Sequence, residues 1–247
     1  MALINHTLQG KGGVGKSFVA SLLAQYYGGR AAALSCFDTD PVNQTFAGYK
    51  AFGVETIRLG DRPDEINPRY FDTLVERIMA APDDGVVVID NGASTFLPLL
   101  GYVVESGALA VLAESGHQVR LHTVVTGGQA LQDTMQGLHQ VIAYVPGVPV
   151  VVWLNEYFGR IEGRDDRGEV QGFEQSGLYA KNRERIHALV RLPEVRKETF
   201  GHDLDQMLRA RLTFDEAVAS SDFNLMSRQR LKMTWRTIHA AMDLAVL

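Results

Sequence analysis

Short apolar runs alternate with amphipathic and polar stretches along the whole 247-residue chain. "ALINHTL" (2–8), "AAALSCF" (31–37), "GVVVID" (85–90), "ALAVLA" (108–113) and "VPVVVWL" (148–154) read as strands. Their nearly unbroken Val, Ile, Leu and Ala content suits parallel strands covered on both faces. Between them the helical period predicts helices at about 16–27, 69–81, 96–106, 129–143 and 174–189. Thr126–Gln129 and Thr213–Glu216 have capping-box spacing and mark two helix starts. A last helix is predicted over 225–247, with Leu231, Trp235, Ile238 and Met242 on one face. Strand–helix alternation after one early glycine-rich turn predicts an α/β fold. The expected architecture is a doubly wound, mostly parallel sheet flanked by helices, in a single domain over 1–247. The polar excursion "GRIEGRDDRGEVQG" (159–172) reads either as a solvated loop or as a partner-binding one.

Charge and cysteine content narrow the function. The net charge of −5 is unevenly spread: residues 1–176 sum to −8 and residues 177–247 to +3. Bulk charge therefore excludes a general polyanion binder, and any nucleic-acid contact must be local and C-terminal. One cysteine, Cys36, excludes an internal disulfide framework and any multi-cysteine metal or iron–sulfur site within one chain. The N-terminal stretch has no basic region followed by a long apolar core, so no signal peptide is expected. The apolar runs are short and interrupted, so a soluble cytoplasmic protein is expected.

The chemistry is densest at "QGKGGVGKS" (9–17). Gly10, Gly15, Lys16 and Ser17 satisfy the phosphate-loop pattern, between a strand and an apolar helix as that loop requires. Gly10, Gly12, Gly13 and Gly15 let backbone N–H groups, with those of Val14 and Phe18, curl around phosphate oxygens without Cβ clashes. The helix directs its positive N-terminus at them. Lys16 is placed to bridge the outer phosphates and the Ser17 hydroxyl to hold Mg²⁺. Lys11 lies where the pattern makes no demand.

Such a loop needs carboxylates near the metal and the attacking water. Asp90 ends a buried strand, where open α/β sheets place ligands, and is expected to hold Mg²⁺ through a water. In "DTDPVN" (38–43), Asp38 and Asp40 follow another strand. They begin either a plain turn or a site in which Asp40 orients the attacking water and Asp38 supports the metal shell. In "VVWLNEYFG" (151–159), Asn155 has no aspartate three residues on, so the guanine-reading pattern is missing and adenine is favoured. Asn155 reads alternatively as a turn residue.

Together these residues resemble the ParA/MinD-type deviant-Walker ATPases, matched at 11–17, 38–41 and 90. That resemblance implies a dimer sandwiching ATP, in which Lys11 of each subunit reaches the phosphates bound by the other and, with Lys16 and Asp40, serves catalysis. It also implies that Asn155 contacts adenine and that "RLPEV" (191–195), with Pro193 and Glu194, packs near the base. "QGKGGVGKS", "DTDPVN", "DNGAS" (90–94), "HTVVTGGQAL" (122–131), "VVWLN" and "RLTFDEA" (211–217) extend a closer resemblance over nearly the whole chain, to the TraL family of conjugative plasmid transfer regions. Departures are "DPVN" where a glutamine usually follows the proline, and "NGAS" after Asp90.

The resemblance implies a slow Mg²⁺-dependent ATPase binding ATP and ADP, acting as a dimeric switch with conjugation or plasmid-maintenance proteins in a bacterial cytoplasm. A scaffold that barely hydrolyses ATP and an ATP-dependent small-molecule enzyme on the same fold are the alternatives. Arg228, Lys232 and Arg236 form a basic stripe on the last helix. It reads as a solvated edge, as a non-specific DNA contact, or, less favoured, as a membrane-binding face.

Overall fold

The computed structural model describes residues 1–62, 65–164 and 167–247. Residues 165 and 166 of the polar excursion thus lie outside the described residues. The strands are β1 (Leu3–Thr7), β2 (Leu34–Asp38), β3 (Glu55–Thr56), β4 (Val86–Asp90), β5 (Gln118–Thr126), β6 (Val150–Asn155), β7 (Glu162–Arg164), β8 (Val170–Gly172) and β9 (Ile186–Leu192). The α-helices are α1 (Lys16–Gly28), α2 (Phe71–Met79), α3 (Phe96–Ser106), α4 (Ala108–Glu114), α5 (Leu131–Tyr144), α6 (Gly177–Asn182), α7 (His202–Ala210), α8 (Phe214–Ala219) and α9 (Leu225–Leu244).

Seven strands form one sheet in the order β3-β2-β4-β1-β5-β6-β9, and every pairing in it is parallel. β7 and β8 form a separate antiparallel hairpin inside the polar excursion. Alternation along β6 shows how the layers are divided. Val151 and Trp153 pack with α1, α7, α8 and α9, whereas Val150, Val152 and Leu154 pack with α2 to α5. Both faces of the central strands are covered, which is why their sequences are apolar without a polar alternate.

Two predicted elements are corrected. The run 108–113 is a helix, α4, and the strand of that region is β5. Alanine favours helix, and the buried pair Ala108 and Leu112 keeps i, i+4 spacing. The β-branched residues Val119, Thr123, Val124, Val125 and Thr126 instead lie in the strand. The helix expected over 174–189 is only the short α6, after which the chain enters β9 and satisfies its backbone on β6. The capping box at Thr213 and Glu216 forms, but the one at Thr126 does not. Thr126 ends β5 and its hydroxyl donates to the Asn155 carbonyl across the sheet. Among the described residues no single helix is long and apolar enough to cross a membrane.

Some core positions are polar. On the α1 face, the Trp153 indole donates to His122 Nδ1 at 3.0 Å, and His122 Nε2 lies 3.0 Å from Asn5 Oδ1. On the other face His6 borders a small apolar cavity, and its Nε2 has no hydrogen-bond partner. Burial drives the His6 pKa down to about 3. Because the unfolded chain binds that proton near pH 6.5, this site supports the fold fully above pH 6.5 and loses about 1.4 kcal/mol per pH unit below it. We expect His6→Leu to raise stability by about 1–2 kcal/mol at pH 7, since it removes an unsatisfied buried group. The advantage over wild type should widen in denaturant titrations at pH 6 and 5.

Candidate functional site

The site lies at the C-terminal edge of the sheet, around the turn from β1 to α1. Gly13 and Gly15 have φ of 74° and 105°, left-handed values that a side chain would strain. Gly10 is needed for a different reason, since a Cβ there would press on the Phe96 ring at 2.9 Å. Gly12 differs from its neighbours. It is exposed, its φ is not left-handed, and a Cβ on it would meet only Ala93, at an ordinary 3.9 Å. The chain's own packing therefore tolerates a side chain at Gly12.

No side chain caps α1, so its first N–H groups are free for an anion from outside the chain. The loop is stapled from behind by the buried Gln9, whose amide nitrogen donates to the carbonyls of Val124 (2.9 Å) and Thr134 (3.1 Å). Gly137 on α5 makes room for it, since a Cβ there would collide with Gln9 Oε1. This staple was not apparent from the sequence, where Gln9 is one polar residue before a motif.

Lys16 is buried and its Nζ donates to the Lys11 carbonyl at 3.0 Å. Burial lowers its pKa, and the nearby Asp90 and Asp40 carboxylates oppose that. Asp90 is also buried. Desolvation and the neighbouring Asp38 push its pKa up to about 7, against the pull of the Ser17 and Thr7 hydroxyls and the Lys16 charge. Thr7 Oγ1 donates to Asp90 Oδ1 at 3.0 Å. Asp38 accepts the N–H of Asp40 on one oxygen and that of Ala47 on the other, both at 2.9 Å. Asp40 accepts the N–H groups of Val42 and Asn43 on Oδ1 and the Asn43 amide on Oδ2. Thr39 and Gly92 join the loops after β2 and β4: the Thr39 N–H donates to the Asp90 carbonyl, and a Cβ on Gly92 would meet Asp40 at 2.9 Å.

Lys11 points elsewhere. Its Nζ forms an ion pair with Asp133, in the first turn of α5, at 2.8 Å, with both side chains about half exposed. Asp133 carried no signal in the sequence. Asn155 sits behind the loop, donating to the Val14 carbonyl at 3.0 Å and accepting the Tyr157 N–H at 3.2 Å. Beside it opens a largely apolar pocket of about 210 Å³, lined by Gly13, Gly15, Phe18, Asn155, Tyr157, Pro193 and residues of α7 and α9. Glu194 turns away to pair with Arg160 at 3.7 Å. On α9, Lys232 and Arg236 are exposed, and Arg228 is half-buried with its Nε donating to the Phe223 carbonyl at 2.7 Å.

Two curated relatives, both named Protein TraL from Escherichia coli, are each 47% identical to this chain over 248 residues, covering 100% of both chains. This chain belongs to the TraL family. No family profile matches it. Among solved structures, the septum site-determining protein MinD of Pyrococcus horikoshii OT3, solved with Mg-ADP, is similar over 99% of each chain at 17% identity and a TM-score of 0.50. The TraL-family chain therefore has the P-loop fold of MinD, which the sequence led us to expect.

The donor set fits a magnesium–nucleotide complex better than a bare metal. No group of three or more His, Cys, Asp or Glu side chains among the described residues could hold a metal on its own. One hydroxyl, Ser17, and one buried carboxylate, Asp90, face an uncapped helix end, and phosphate oxygens and water would complete six-fold oxygen coordination. An Asp90 held near pH 7 keeps more protons than the unfolded chain between about pH 4 and 7, so its contribution to stability falls as pH rises through that window. Asp90→Asn should therefore stabilise the nucleotide-free protein at pH 8, on the order of 2–4 kcal/mol at about 1.4 kcal/mol per pH unit.

Proposed function

We propose that this TraL-family protein is a Mg²⁺-dependent switch that binds and slowly hydrolyses ATP, dimerises when ATP is bound, and serves conjugative plasmid transfer or plasmid maintenance. The observation that carries the reading is the uncapped N-terminus of α1, with buried Lys16 on one side and Asp90 on the other. Phosphate oxygens supply the acceptors those N–H groups lack, and Lys16 is a cation already desolvated to meet them. Bound Mg²⁺ would neutralise charge building on the phosphates, with Ser17 and Asp90 holding it and Asp38 fixing the loop beside it.

Asp40 fits the task of orienting water. A carboxylate offers about four lone-pair sites, and three here are engaged by Val42 and Asn43. The remaining capacity on Oδ2 suits a single water held in line.

Lys11 is the residue expected to reach the other subunit's phosphates. Its pair with Asp133 is partly exposed, and pairs of that kind contribute about 0–1 kcal/mol, so leaving it costs little. Of the Arg228, Lys232 and Arg236 stripe proposed to make a non-specific contact with DNA, Lys232 and Arg236 are the two exposed cations. If both meet phosphates, binding should weaken with salt with a log–log slope near about −2.

The decisive measurement is oligomeric state by light scattering with ATP and Mg²⁺. Wild type should dimerise, and Asp40→Ala should stay dimeric with ATP while hydrolysis falls at least about 100-fold, the scale of losing a water-positioning group. Lys11→Ala should bind nucleotide as a monomer with neither dimer nor turnover. Wild type that stays monomeric with ATP, or Lys11→Ala that hydrolyses like wild type, would overturn the switch.

A further inference from the structure

The apolar pocket beside the phosphate loop has an unusual back wall. Thr234 and Ile238 come from α9, and Leu204, Asp205 and Leu208 from α7, so the C-terminal helices close the space next to Gly13 and Gly15. The two helices form one wall, because Arg230 of α9 binds the buried Asp203 of α7 through two guanidinium nitrogens. Tyr157, which lines the pocket from the sheet side, donates its hydroxyl to Asp205 at 2.8 Å and ties that wall to the loop after β6.

The polar groups around this space each already hold at least one partner within the chain. Asn155 donates to Val14 and accepts from Tyr157, Asp205 accepts from Tyr157, and the Thr234 hydroxyl donates to the Arg230 carbonyl. A ligand here is held mainly by burying a flat apolar surface, as a nucleobase does, and five of the fourteen lining residues belong to α7 and α9.

On α9, residues two apart lie about 200° apart around the axis at 3.6 residues per turn. Lys232 and Arg236 flank Thr234 at i−2 and i+2, so they point away from the pocket, and both are exposed. One side of α9 thus lines the pocket while the other presents charge to solvent.

Resting on the nucleotide reading above, we propose that α9 senses the base rather than the phosphates: a base seated against Thr234 and Ile238 sets the position and rigidity of the α7–α9 wall, and with it the Lys232 and Arg236 face. The triphosphate alone, gripped by the loop between β1 and α1, does not reach that wall. The cationic face then answers to any nucleotide that carries the base, the diphosphate as well as the triphosphate, and ignores free polyphosphate.

Hydrogen–deuterium exchange on the full-length protein tests this with two probes, Mg²⁺–ATP and Mg²⁺–tripolyphosphate. Both should slow exchange in residues 10–20, and ATP alone should slow it in 202–210 and 228–242, by at least about five-fold. Thr234→Leu, which extends into the pocket, should weaken ATP binding about ten-fold and leave tripolyphosphate binding within about two-fold of wild type. A folding defect would weaken both. If ATP protects 10–20 but leaves α9 unchanged, or tripolyphosphate protects α9 equally, the base-sensing role is wrong while nucleotide binding stands. If neither probe protects 10–20, the nucleotide reading fails and this inference with it.

Discussion

A carboxylate buried at the edge of a parallel sheet, with an amine buried close by, sets the terms for everything around it. Asp90 and Lys16 are both removed from water, and neither is neutralised by a direct partner within the chain. Burying unpaired charge is costly, and the fold limits the cost by supplying the Thr7 hydroxyl and the Lys11 carbonyl and by letting Asp90 keep its proton near neutrality. Among the described residues the arrangement stays under-satisfied. It explains why the surrounding loops are so heavily tied down: the Gln9 staple, the caps on Asp38 and Asp40, and the Thr39 bridge hold a site that would relax if left free.

What could be read from the sequence was what depends on neighbours along the chain. The glycine turn, Lys16, Ser17 and the strand-ending Asp90 form a local pattern, and the structure brings them to one edge. Within that turn the letters look alike, yet backbone conformation separates Gly13 and Gly15 from Gly12. The fold class followed from unbroken apolar runs, since only strands covered on both faces need them. The two misassigned elements, α4 and β9, are short segments for which periodicity is weak and the partner strand decides. Asp133, Gln9 and the α7–α9 wall were illegible for another reason: their roles come from residues more than a hundred positions away, or from a helix that looked like ordinary packing.

Lys11 changed most between sequence and structure. As a letter in a motif it suggests only added positive charge. In the fold it is held at 2.8 Å by Asp133 within its own chain, on a surface where water competes. A contact that weak restrains the side chain without committing it.

The strand order has a wider consequence. β1, which carries the phosphate loop, runs between two unlike halves. The β2–β4 side supplies Asp38, Asp40 and Asp90, and the β6–β9 side supplies Asn155, Tyr157 and Pro193. The groups suited to bond cleavage and the groups suited to recognising a base therefore come from separate stretches of chain that share only the loop between them. A substitution on one side of β1 thus meets different neighbours from a substitution on the other, and the two sides can be altered separately.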